Sequence, residues 1–298
     1  MRLVRYLAEG RLDPDVGAEF DDGIRKLNVA TIGDLLSLSL SQIRALTDAV
    51  RAEPPVPPGA RLLPPVDGRT EVWAAGVTYH RSRDARMEES ATADIYELVY
   101  RSKRPELFFK CAAWRAVTHG DPIGIRADSA LNVPEPELAL VANRSGEIVG
   151  YLVCDDVSSR SIEGENPLYL PQAKMYAGSC ALSDGIRPSW EVPDPRALDI
   201  ELTVERAGAI AWQGSTTTGQ MHRLPVELVG FLFRAEQFPD GVVLTTGTGI
   251  VPDMEFTLHE GDQVTVRIPG IGVLANSVAV GRERFGWLAD RTVRNALG

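Results

Sequence analysis

Apolar residues recur at alternate positions, or in short unbroken runs, through most of the second half of the chain. The segments LALVA, EIVGYLVC, DIELTVER, AIAWQG, VVLTTGTGIV, QVTVRI and VLANSVAV are separated by Gly, Pro, Asn or Asp, which predicts strands joined by turns. One helix interrupts them around VELVGFLFRAEQ. The first 50 residues predict a few short strands and then a single helix over TIGDLLSLSLSQIRALTDAVR, begun by Thr31 with Asp34 three residues on. Residues 54–65, PPVPPGARLLPP, cannot be helix, because proline lacks the amide donor and disfavours helix in the residue before it. They predict a linker or extended edge, and a boundary between a small N-terminal α+β domain (1–65) and a larger domain (66–298). Beyond it EVWAAGVTY is strand-like and ends at Tyr79. The charged stretch from His80 to Arg104 favours helix, with Ile95, Leu98 and Val99 spaced to share a packing face. Strands and helices do not alternate as in βαβ folds, so the expected class is β-dominated α+β.

Bulk properties narrow the partners. The 298 residues are 44% hydrophobic and 24% charged, an ordinary globular balance. A net charge of −10 argues against nucleic acid or an anionic membrane surface, both of which are held by clustered Lys and Arg. It leaves a small anionic substrate open. No secretory leader is expected in MRLVRYLAEG, no stretch reaches the ~20 apolar residues of a membrane span, and a cytoplasmic protein is the simplest expectation. Cys111, Cys154 and Cys180 form no CxxC pair, and the four histidines fit no HExxH pattern, which disfavours a disulfide framework or a zinc site. Gly270–Ala275 (GIGVLA) lies between two β-rich runs rather than opening a helix, so it reads as a bend in a sheet and not as a dinucleotide loop. GxSxG and GxxxxGK motifs are absent.

The candidate chemistry lies in carboxylates. Glu135 and Glu137 stand at i and i+2 at the head of the strand PEPELALVA, and a strand turns alternate side chains to one face. Asn143-Arg144-Ser145-Gly146 predicts a hairpin. If Ser145 and Gly146 form a two-residue loop, counting outward sets Glu137 across from Cys154 and Glu135 across from Asp156. A one-residue slip would substitute Asp155. Three converging carboxylates repel unless a cation or protons intervene. Oxygen-only ligation suits Mg²⁺, Mn²⁺ or Ca²⁺; the other reading is a solvated acidic sheet end.

Taken in order, Gly76-Val77-Thr78-Tyr79, Arg104-Pro105-Glu106-Leu107-Phe108-Phe109-Lys110, Glu135-Pro136-Glu137-Leu138, Asp155-Asp156-Val157-Ser158-Ser159-Arg160 and Thr246-Gly247-Thr248-Gly249 resemble the signature blocks of the fumarylacetoacetate hydrolase superfamily. The resemblance spans roughly residues 70 to 280. It implies a mixed β-roll catalytic domain with a smaller N-terminal domain, Mg²⁺ on Glu135, Glu137 and Asp156, and dimers or tetramers. The C–C hydrolases of the superfamily carry a His–Glu pair after the first block. Here those positions are Ser82 and Ala85, neither of which accepts a proton usefully, and His80 is displaced by two. The run DDVSSRSIEGENPLYLPQAKMYAGSCA is similar instead to the 2-keto-3-deoxypentonate dehydratase branch, which implies metal-assisted enolate chemistry yielding 2-oxoglutarate semialdehyde. Lys174 is then the first candidate for the base, or else a holder of a substrate oxygen or a metal ligand; Glu106 is the second candidate, as an acid. Thr248, Arg83 and Tyr79 are the candidate substrate contacts. The alternatives are a C–C hydrolase or decarboxylase of acylpyruvates or oxaloacetate, and a binding protein that merely keeps the fold.

Overall fold

The computed structural model describes residues 1–81 and 93–290. At the N-terminus β1 (Arg2–Leu7), β2 (Asp15–Phe20) and β3 (Gly23–Lys26) form an antiparallel meander, and β4 (Arg61–Leu63), out of the Pro-rich stretch, joins the free edge of β1. The single helix expected here is two, α1 (Ile32–Leu36) and α2 (Leu40–Ala49). Thr31 does cap the first. Ser39 then begins the second: its hydroxyl accepts from the Gln42 N–H while the Gln42 side chain accepts from the Ser39 N–H. A capping residue has extended backbone, so one helix cannot run through it.

The next strands are β5 (Glu71–Gly76), β6 (Glu106–Ala112), β7 (Ile123–Ile125), β8 (Asn132–Val133), β9 (Pro136–Ala142), β10 (Ile148–Asp156) and β11 (Ser158–Ser159). After them come β12 (Cys180–Leu182), β13 (Arg187–Pro188), β14 (Asp199–Arg206), β15 (Ala209–Thr217), β16 (Val242–Thr245), β17 (Gln263–Ile268) and β18 (Gly272–Val280). The helices are α3 (Ala93–Arg101), α4 (Arg160–Glu165), α5 (Leu170–Lys174) and α6 (Pro225–Leu232). Of the packing face expected on α3, Leu98 is 68% exposed and Val99 half-buried, and the side chain of Ile95 lies outside what is described. Gly270 turns the chain from β17 into β18, as the reading of GIGVLA expects.

The central sheet has the order β12-β10-β9-β16-β5-β6, with β13 also on β10. Beyond the end of β6, Val117 hydrogen-bonds along β12, accepting from Leu182 and donating to Cys180, which curls the sheet into a roll. One face packs against the second large sheet, β15-β14-β17-β18-β7, through Leu138, Leu140, Val153, Leu202 and Val266. The other face packs through Ala139, Val141, Leu152 and Cys154 against Leu3, Val16, Leu27, Ile32 and Ile43 of the N-terminal elements. Strands covered on both faces need no polar alternation, which is why β9 and β10 read as nearly unbroken apolar runs.

The hairpin joining β9 to β10 departs from the counted register twice. Asn143 donates to the Glu147 carbonyl and Gly146 to the Asn143 carbonyl, so the loop holds three residues, with Gly146 left-handed at φ 77°. That shifts every partner by one. A β-bulge between Ile148 and Gly150 shifts them back, and Cys154 lies across from Glu137 after all. The buried Asn143 side chain fixes the turn by accepting from the N–H groups of Ser145 and Glu147 and donating to the Leu38 carbonyl.

Candidate active site

Strand direction gathers the candidate residues at one end of the roll. Gly76 ends β5, Glu106 opens β6, Glu137 stands near the head of β9, Asp156 ends β10, and the Gly247–Thr248 loop follows β16. Together with Arg160, Glu163, Leu170 and Lys174 from α4 and α5 they line a narrow cleft. Glu135, Glu137 and Asp156 are all buried, and a ligand oxygen from each lies within 4.8 Å of the others. Asp156 rather than Asp155 faces the pair. Asp155 turns away and accepts the Glu135 N–H at 2.8 Å, its carboxyl pushed up to about 7, chiefly by burial.

The cluster is held by cations on one side and by backbone on the other. Lys174 Nζ donates to Glu135 Oε2 at 2.7 Å, to Asp156 Oδ2 at 3.2 Å and to the Ser158 hydroxyl. Lys110 Nζ, fully buried, pairs with Asp156 Oδ1 at 2.5 Å and donates to the carbonyls of Lys174 and Val157. Arg160 pairs with Glu135 Oε1 at 3.3 Å. Glu137 takes the Gly247 N–H at 2.7 Å, and burial together with the charges of Asp156 and Glu135 holds its carboxyl well above the ordinary range. Five acids (Glu106, Glu135, Glu137, Asp156 and Glu163) line the cleft against two bases, Arg160 and Lys174. An excess of buried negative charge on an oxygen-only donor set fits a hard divalent cation.

The other residues singled out in the sequence fall into three groups. Lys174 and Glu106 line the cleft, and the Glu106 carboxylate lies against Gly76, where a Cβ would come within 2.0 Å of Oε2. Thr248 also lines it, its hydroxyl bonded within its own loop to the carbonyl and N–H of Ile250. Tyr79 is placed differently from the expectation of a substrate contact. Its buried ring belongs to the hydrophobic core behind the Gly-Thr loop, close against Gly249, because the chain turns at Val77 and pairs Tyr79 with Met221. Arg83, Ser82 and Ala85 lie outside the described residues. Val77, which lines the cleft, has φ 52°, a conformation costly for a β-branched residue and characteristic of functional sites.

Three side chains of this site were not singled out from the sequence. Lys110 shares a strand face with Glu106 and Phe108, and that alternation was a usable signal. Arg160 and Glu163 stand three apart on α4, on one side of a helix too short to show a periodicity.

The fumarylacetoacetate (FAA) hydrolase C-terminal family model matches residues 72–279. A probable 2-keto-3-deoxyxylonate dehydratase of Haloferax volcanii is 51% identical over 214 residues, 72% of this chain and 73% of the relative. The 2-dehydro-3-deoxy-D-arabinonate dehydratase of Saccharolobus solfataricus is 44% identical over 222 residues, 73% of this chain and 74% of that one. Among solved structures, a 2-keto-3-deoxy-D-arabinonate dehydratase complexed with magnesium and 2,5-dioxopentanoate superimposes with a TM-score of 0.79 at 36% identity, covering 94% of this chain and 99% of that one.

Proposed function

The chain belongs to the fumarylacetoacetate hydrolase family, and from that footing we propose that it dehydrates a 2-keto-3-deoxypentonate to 2,5-dioxopentanoate (2-oxoglutarate semialdehyde), in pentose catabolism. The observation that carries the reading is the meeting of Glu135, Glu137 and Asp156 with Lys174 in one cleft, in a chain 44–51% identical to dehydratases of such acids. We assign Mg²⁺ to the three carboxylates, with Mn²⁺ or Ca²⁺ as substitutes. Bound there, a divalent cation supplies Lewis-acid stabilisation of negative charge on the 2-oxo group.

The side chains divide the remaining work. Lys174 takes a proton from C3, which is acidic because it neighbours the 2-oxo carbon. Its ammonium is held by Glu135, Asp156 and Ser158, so the nitrogen returns to one position after each transfer. Glu106, partly buried beside Phe108, protonates the departing 4-hydroxyl. To the Gly247–Thr248 loop we assign the substrate carboxylate, and to Arg83, on its sequence alone, the distal hydroxyls. A cytoplasmic location and a homo-oligomer complete the proposal. Among the described residues no helix is long and apolar enough to cross a membrane.

Purified protein with Mg²⁺ and 2-keto-3-deoxypentonate is expected to release 2,5-dioxopentanoate, scored by aldehyde trapping and mass spectrometry. Pyruvate plus glycolaldehyde as products would show an aldolase and refute the reading. Faster turnover of oxaloacetate or an acylpyruvate would favour the hydrolase or decarboxylase alternative.

A further inference from the structure

Strand β6 carries one residue more than β5 can pair. In their ladder Val72 stands across from Cys111 and Trp73 from Phe109, which leaves Lys110 as the extra residue of a β-bulge. A bulge re-aims a side chain, and bulges recur beside active sites. Lys110 is fully buried and is not among the residues that line the cleft. Its ammonium meets three protein oxygens instead. It pairs with Asp156 Oδ1 at 2.5 Å, and donates to the Lys174 carbonyl at 2.5 Å and to the Val157 carbonyl at 3.2 Å. An ammonium has three donors and no acceptor, so these oxygens match its whole capacity. Asp156 ends β10, Lys174 ends α5, and Glu106 opens β6 itself. One side chain thus ties together the elements that carry a metal ligand, the base and the acid. The Ser179 hydroxyl also donates to the Lys174 carbonyl, but from the turn directly after α5. The two oxygens of Asp156 are divided between the lysines, Oδ1 to Lys110 and Oδ2 to Lys174, so rotation of the carboxylate would break both contacts.

We propose that Lys110 is a positioning residue: from its bulge it fixes the orientation of the Asp156 carboxylate toward the divalent cation and anchors the end of α5 behind Lys174. This rests on the cation and the base assigned above. Charge alone predicts the opposite effect on affinity, because an ammonium beside a ligand oxygen repels a dication and its removal would tighten binding. Orientation has a signature that charge does not share. Mg²⁺ demands near-octahedral oxygens at about 2.0–2.1 Å, whereas Ca²⁺ accepts looser geometry at about 2.3–2.6 Å. A carboxylate free to pivot therefore costs Mg²⁺ more than Ca²⁺, while a change of charge acts on the two ions alike.

The test titrates Mg²⁺ and Ca²⁺ by calorimetry into full-length wild type, Lys110→Met and Lys110→Gln. Lys110→Met keeps the volume and removes every donor; its ratio of Mg²⁺ to Ca²⁺ affinity should fall about 10-fold, with the number of ions bound per chain unchanged. Lys110→Gln removes the same charge but keeps N–H donors, so its ratio should fall by less, and it serves if Lys110→Met does not fold. With Mg²⁺ saturating, deuterium entry from D₂O at C3 of the substrate should slow by about 10-fold in Lys110→Met. A ratio equal to that of wild type overturns the proposal, since charge then accounts for any change in affinity. So does failure of both variants to fold with Mg²⁺ present, or fewer ions bound at an unchanged ratio, because each marks a structural role. C3 exchange at the wild-type rate overturns the tie to Lys174. If wild type binds neither ion, the metal assignment falls and the role of Lys110 with it; if wild type binds both and the ratio does not move, only the role of Lys110 falls. If wild type exchanges no deuterium at C3, the dehydratase reading falls, and the ion ratio still decides whether Lys110 orients Asp156.

Discussion

Gly76 and Glu106 face one another across β5 and β6, and the space between them sets how the acid is aimed. A Cβ on residue 76 would sit 2.0 Å from Glu106 Oε2 and 2.7 Å from its Cδ. Restoring van der Waals contact needs a retreat of about 1.4 Å by the carboxylate. Gly76→Ala carries no backbone penalty, since Gly76 is not among the left-handed glycines. An alanine in a strand is preferred over glycine by about 0.5–1 kcal/mol, which offsets part of the local repacking. The fold should therefore survive while the acid is displaced. A 1 Å misplacement of a catalytic group costs about 10²-fold in rate, so kcat/KM should fall about 100-fold, or about 2.7 kcal/mol of transition-state stabilisation. Mg²⁺ affinity should stay unchanged, because the three atoms nearest the added Cβ all belong to Glu106 and not to the clustered carboxylates. Steady-state kinetics, calorimetric metal titration and thermal melts on Gly76→Ala, Glu106→Gln and the double variant decide it. The double variant should be no slower than Glu106→Gln alone, because both changes remove one interaction. Wild-type kinetics in Gly76→Ala, or multiplicative losses in the double variant, would refute the role given to Glu106.

The remaining predictions concern the cluster and one distant turn. Glu137→Gln resembles the protonated carboxyl that burial favours in the metal-free protein, so its metal-free melting temperature should hold while Mg²⁺ affinity falls at least 10-fold by calorimetry. Because the Glu137 carboxyl is raised in the metal-free fold, binding Mg²⁺ displaces its proton; wild-type affinity should rise with pH, and that slope should flatten in Glu137→Gln. Chelation by EDTA should abolish activity, and added Mg²⁺ should restore it. Lys174→Met leaves Glu135 and Asp156 facing each other without their shared ammonium, so metal-free stability should drop by about 3–5 kcal/mol in denaturant titrations, with C3 exchange lost. Ala207 holds φ 51° in the two-residue turn between β14 and β15, and Ala207→Asn should raise the melting temperature by about 2 °C with activity unchanged.

What the sequence revealed depended on whether a feature was local. Apolar runs located β9, β10 and β16, alternation located β14, β15, β17 and β18, and the i, i+2 spacing brought Glu135 and Glu137 to one face, while the short β11, β12 and β13 carried no such signal. Thr31 announced α1, but Ser39 was read through as helix interior although SLSQ carries a capping box. The partner of the ExE pair came out as Asp156 because two departures, the longer loop and the bulge, cancelled. Lys110 and Glu163 escaped for physical reasons: one reaches Asp156 from the far edge of a curled sheet, the other sits on a six-residue helix. Tyr79 follows Gly76 closely in sequence, yet the left-handed Val77 sends it into the core.

The cancelling loop and bulge bear on how this chain can change length over generations. Between Asn143 and Gly150 a single inserted or deleted residue reverses which side of β10 every later side chain faces, exchanging Asp155 for Asp156 at the cluster. Such an event would be lethal to the site without altering one active-site codon. Two length changes, one at the turn and one at the bulge, are silent together. Tolerated length variants of this hairpin should thus occur in compensating pairs, and a deletion library across residues 143–150 should yield active clones only where the strand's parity is kept.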